Sequence, residues 1–124
     1  DTTVELRVED HPQPIRELQR LLTLHRAYDH MNRGDELLGS GDVEQALEAY
    51  RTAATMAPQI TELPFWQAVT LADLGRVEEA LPIFREVFAE SSDWCTLVRR
   101  LPASGLLRDD PEMMERILSA NAET

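Results

Sequence analysis

Lysine is absent: all 12 basic residues are arginine, set against 23 acidic ones for a formal net charge of −11. No lysine Schiff base or lysine nucleophile is therefore available. Nor is there a cluster of cations of the kind that releases counterions from a phosphate backbone, so a nucleic-acid partner is not expected. Cys95 is the only cysteine, which excludes an internal disulfide and leaves the redox compartment open. No run approaches the roughly 18 consecutive apolar residues of a membrane span. The opening "DTTVELRVED" is neither cationic nor followed by an apolar stretch, so it does not read as a secretory signal. The expectation is a soluble chain, with the cytoplasm favoured. Because it starts at Asp1 rather than Met, it also reads as a piece of something longer.

What is present suits one domain: 124 residues, of which 43% are hydrophobic. One phrase occurs twice, as "GDVEQALEAY" from Gly41 and "GRVEEALPIF" from Gly75. The offset pairs Leu37 with Leu71, Val43 with Val77, Ala46 with Ala80, Leu47 with Leu81 and Tyr50 with Phe84. It is 34 residues throughout. A small residue, an aromatic four positions later and a closing Pro58 complete the unit. This pattern resembles the tetratricopeptide repeat, a pair of antiparallel helices per unit. The second helix of each unit matches well and the first more loosely, through Gly34 with Leu37 and Ala68 with Leu71.

The residues support helices independently of the resemblance. Val43, Ala46, Leu47, Tyr50, Ala53 and Ala54 fall on one face of an amphipathic helix, with Asp42 as its expected N-cap and Pro58 as its stop. Ala46 and Ala80 let paired helices approach, and Tyr50 and Phe84 fill the space beside them. Pro82, near the sixth position of the later helix, costs one backbone donor. A third unit does not complete. Instead a helix is expected from about Trp94 to Leu101, capped by Ser92 or Asp93, then a break from Pro102 to Gly105. A last helix follows with Asp110 as N-cap and Pro111 at its first position. This pair reads as the cap that a repeat stack requires.

Upstream, Val4, Leu6 and Val8 alternate with charged residues in a lone strand pattern. One long helix is then expected from Ile15 into the first repeat. The predicted organisation is all-α: residues 1–13 an extended segment, 14–124 a stack of helical hairpins with repeats at about 27–60 and 61–94 and a capping pair at 94–120.

"VELRVEDHPQPIRELQRLLTLHRAY" and "WCTLVRRLPASGLL" carry a second resemblance, to an uncharacterised bacterial family with an Ntn-hydrolase-like N-terminal half. Its C-terminal half is described as peptidoglycan-binding. The resemblance implies that Val4–Val8 is the last strand of an upstream domain and that this chain is the accessory domain. No Ntn nucleophile carries over.

Candidate chemistry within the chain is sparse. His25 and Asp29 are spaced to touch one metal, but His30 lies on another face and no third ligand is apparent, so packing is the preferred reading of His25. His11, followed by Pro12 and Pro14, reads as a cap or turn residue rather than a base. Glu78–Glu79 and Asp109–Asp110 are adjacent in sequence and point to different faces, so neither makes an acid–base dyad. Cys95 beside Trp94 reads as packing. No catalytic residue, metal or cofactor is expected.

A binding module remains. By the repeat offset, a concave groove would be lined by Tyr28, Met31, Asp35 and Leu38 from the first unit and by Glu62, Phe65, Val69 and Ala72 from the second. Such a surface is apolar with acidic spots. It lacks the Lys, Arg and Asn that hold a C-terminal carboxylate, and would suit an apolar or basic segment, helical or extended. The occupant could equally be the chain's own first helix, its upstream domain or a second copy forming a homo-oligomer. A peptidoglycan or peptide ligand is the alternative function, for which Trp66 and Trp94 are the only aromatic platforms.

Overall fold

The computed structural model describes residues 14–122. Val4–Val8 lies outside the described residues. Six helices follow in order: α1 (Pro14–Gly39), α2 (Val43–Met56), α3 (Glu62–Asp73), α4 (Val77–Glu90), α5 (Asp93–Ser104) and α6 (Pro111–Ala122). Among the described residues there is no strand. The helices α1 and α2 form one hairpin and α3 and α4 a second, α2 packs on α3, and α6 lies along α4 while α5 makes lighter contacts with both.

The repeated phrase builds the same turn twice. Gly41 and Gly75 have φ of 89° and 87°, a left-handed conformation in which any Cβ is strained. Across the first, the Asp42 N–H donates to the Leu37 carbonyl at 2.9 Å; across the second, Arg76 donates to Leu71 at 2.8 Å. These are Schellman closures, which satisfy the last carbonyls of α1 and α3. Gly105, at φ 79°, ends α5 in the same way, with Leu106 donating to Leu101 at 3.0 Å.

Two local expectations are corrected. Asp42 stands at the start of α2, but its side chain makes no cap bond. Its backbone is committed to closing α1, and only its carbonyl joins the new helix, accepting from Ala46 at 2.9 Å. The expected break at Pro102 is absent: α5 runs through Pro102 to Ser104. A proline in the last turn removes one donor without disturbing the buried stripe of Cys95, Val98 and Leu101, and Gly105 makes the stop. At α5's other end Ser92 holds the cap position without a side-chain bond, and Ser91 Oγ accepts the Asp93 N–H at 3.1 Å instead. Asp110 does cap α6, its Oδ1 accepting from the Met113 N–H at 3.1 Å. Pro82 sits inside an unbroken α4.

Packing explains the small residues. Ala46, Ala68 and Ala80 are fully buried, and Tyr50 and Phe84 fill equivalent places in the two hairpins. Gly34 abuts the Tyr50 ring, where a Cβ would approach Cε1 to 2.5 Å. Towards the C-terminal end the core turns aromatic. Phe65 meets Phe84 edge-on at 6.3 Å and Trp94 at 4.8 Å, and Phe84 stacks with Phe88 at 5.5 Å. Met113, Ile117 and Ala120 of α6 complete it. The link between α5 and α6 is tied to the end of α3 by Arg108, whose N–H donates to Asp73 Oδ1 at 2.7 Å and whose guanidinium donates to the Asp73 carbonyl at 2.6 and 3.0 Å. A cation at a helix C-terminus also meets the negative end of its dipole. Cys95 is buried in α5, and burial raises its thiol pKa, with Arg99 opposing.

Candidate functional site

Between α1 and α3 lies a cleft of about 320 Å³. Tyr28, Met31, Asn32 and Asp35 line it from α1, Glu62, Trp66 and Thr70 from α3, and Tyr50 reaches in from α2. The spacings of three and four residues put each set on one helical face. Two tyrosine hydroxyls set the polar geometry. Tyr50 donates to Asp35 Oδ1 at 2.6 Å, and Tyr28 on α1 donates to Glu62 Oε1 on α3 at 3.1 Å. Burial, and then the Asp35 carboxylate, push the Tyr50 phenol far above its ordinary pKa. Burial followed by Glu62 raises Tyr28 in the same sense.

The cleft thus brings together Tyr28, Met31, Asp35 and Glu62 of the expected groove residues. It does not include the other four. Phe65 (0% exposed), Val69 (3%) and Ala72 (0%) belong to the core, and Leu38 is half-buried against it. On α3 the cleft keeps Glu62 and then takes Trp66 and Thr70, each one position beyond Phe65 and Val69. The repeat offset maps Met31 onto Phe65, and Met31 is itself a core residue; in the second unit the Trp94 and Phe84 rings pack against that position. The cleft face runs instead through Glu62, Trp66 and Thr70, at steps of four. Tyr50 went unrecognised because its ring marks it as packing while its hydroxyl belongs to the cleft.

A second cleft, of about 250 Å³, lies across α2, α3 and α4 and has a different electrostatic character. Its carboxylates are paired within the protein. Arg76 bridges Glu44 and Glu79 at 2.7 Å each, and Arg51 meets Glu48 at 3.3 Å. Among the described residues, no arginine or histidine lines the α1–α3 cleft.

His25 Nε2 and Asp29 Oδ2 approach to 3.5 Å on α1, where His25 is half-buried and Asp29 exposed. Among the described residues no group of three or more His, Cys, Asp or Glu is placed to hold a metal. No helix among them is long and apolar enough to cross a membrane.

The family model of the tetratricopeptide repeat matches residues 31–93, just over half of the chain. The chain belongs to the tetratricopeptide-repeat family. The match spans the last nine residues of α1, all of α2, α3 and α4, and the first residue of α5. The two tetratricopeptide hairpins are α1 with α2 and α3 with α4, and the 34-residue offset between Gly41 and Gly75 is the repeat length. In these terms the cleft lies between the first helices of successive tetratricopeptide units. Comparison with curated proteins and with solved structures finds no match.

Proposed function

We propose that the chain is a non-catalytic protein-interaction module whose α1–α3 cleft receives a segment of a partner protein. The observation that carries this reading is the cleft itself: a recess with an aromatic wall and hydrogen-bonding groups already oriented by Tyr28 and Tyr50. Such a preorganised recess lowers the ordering cost of binding. Within this reading the chain serves as the accessory domain of a larger bacterial protein with an Ntn-hydrolase-like half, a role supported by the resemblance of its end segments. The peptidoglycan alternative draws on the same resemblance, and no feature of the fold favours it. Trp66 and Trp94 both pack on Phe65, at 5.0 and 4.8 Å, and of the two only Trp66 lines the cleft.

Peptides selected from a random display library on the purified chain test the proposal. Their amide shift changes in nuclear magnetic resonance should centre on Tyr28 to Asp35 and on Glu62 to Thr70. Shifts centred on the α2–α4 cleft or on α5 and α6 would overturn the assignment.

A further inference from the structure

Resting on the protein-interaction reading above, we infer that the α1–α3 cleft selects an arginine side chain of the partner segment, its guanidinium held between Asp35 and Glu62 against the Trp66 ring. The two carboxylates come from different helices and converge on one recess of about 320 Å³. Each is fixed through one oxygen by a tyrosine hydroxyl, Asp35 by Tyr50 and Glu62 by Tyr28. A neutral hydroxyl orients a carboxylate without cancelling its charge, and among the described residues no donor meets the other oxygen of either. Neither Asp35 nor Glu62 pairs with a cation among the described residues.

The contrast within the molecule gives this meaning. Where carboxylates line the α2–α4 cleft, Arg51 and Arg76 neutralise them at 2.7 to 3.3 Å. Among the described residues the α1–α3 cleft keeps two charges unanswered; Asp35 and Glu62 are exposed at its mouth, where their summed field draws in a cation. An ammonium would satisfy the charge alone. A planar guanidinium can also present a fork of donors to the two carboxylates while lying on an indole face, so the combination of acid and aromatic wall favours arginine over lysine. The volume, at the lower end of the range for ligand sites, suits one long side chain.

The test uses three blocked pentapeptides, Ac-Ala-Ala-Xaa-Ala-Ala-NH₂, with arginine, lysine or the neutral isostere citrulline in the middle. Binding is followed by the Trp66 indole N–H resonance, with the Trp94 indole as a reference outside the cleft. The arginine peptide should shift Trp66 saturably, with the lysine peptide weaker and citrulline weaker than arginine by about tenfold or more, the scale of a charge-assisted hydrogen bond. Asp35→Asn and Glu62→Gln keep an acceptor for each tyrosine, so both variants should retain the parent circular dichroism and melting temperature while losing about tenfold in arginine affinity. Equal binding of citrulline, lysine as tight as arginine, no saturable shift with arginine, or indifference to both substitutions would each overturn the inference. Display-selected peptides that still occupy the cleft without needing arginine would leave the interaction reading standing. Their absence from the cleft would remove both.

Discussion

Gly34 shows how a single hydrogen can decide the sign of a substitution. Replacing glycine by alanine inside an ordinary helix stabilises by about 0.5–1 kcal/mol. Here the added Cβ would fall 2.5 Å from Cε1 and 2.7 Å from Cδ1 of Tyr50, whose ring is anchored through its hydroxyl to Asp35. Gly34→Ala is therefore expected to destabilise by about 1–3 kcal/mol in urea unfolding. Adding Tyr50→Phe should not relieve the loss, since the ring atoms remain. The second unit solves the same contact differently: by the 34-residue offset, Ala68 replaces Gly34, Val69 replaces Asp35 and Phe84 replaces Tyr50. The hydroxyl–carboxylate pair of the first unit thus becomes an apolar pair in the second. Tyr50 also gives a pH prediction. Its folded phenol pKa lies above the unfolded value of about 10. The stability linked to it is fully present below pH of about 10 and falls as pH rises through the raised folded value, because the unfolded chain ionises first. Phenolate absorbance should appear at lower pH in urea-unfolded protein than in native protein, and an identical titration would contradict the buried hydrogen bond.

At the scale of elements, α1 is the outlier. It has 26 residues, about 39 Å, beside an α2 of 14 residues, about 21 Å. Its buried residues, Ala27, Met31 and Gly34, all lie in its second half, while Ile15 is 72% exposed and Leu22 41%. Helical hydrogen bonds without tertiary cover open readily, so amides of residues 18–26 should exchange much faster than those of residues 31–38. Equal protection along α1 would mean that its first half is covered. The contrast bears on what the sequence made legible. The repeats, the long α1 and the start of α6 at Asp110 were readable because each depends on local chemistry or on the 34-residue period. The cleft face of α3 was not. It is set by which side of the helix Phe84 and Trp94 cover, and those residues lie 19 and 29 positions beyond Phe65. Pro102 misled for a related reason: α5 is held by tertiary burial of Val98 and Leu101, which outweighs one missing donor in its last turn.

For the molecule as a whole, the stack is closed at one end by α6, whose Ile117 is fully buried and whose Arg116 forms an ion pair with Glu78 of α4. Neighbour-to-neighbour packing of this kind makes the units unfold together or lose coupling at their weakest interface. Ile117→Ala should cost about 2–5 kcal/mol and preserve one transition seen alike by circular dichroism and by Trp fluorescence. Two separated transitions would show that the cap and the repeats fold independently. Cys95 adds a built-in timer. Cys95 is 7% exposed, and burial shifts its thiol away from the reactive thiolate. A disulfide reagent can therefore reach it only when α5 swings away from the core. With the reagent in excess and reclosing slower than capture, labelling should become independent of reagent concentration, and its plateau rate should report the opening of α5 directly. A rate still rising in proportion to reagent, at the speed of a free thiol, would mean that the thiol already faces solvent. The side chain whose solitude excludes a disulfide thus serves as a stopwatch for the breathing of the fold.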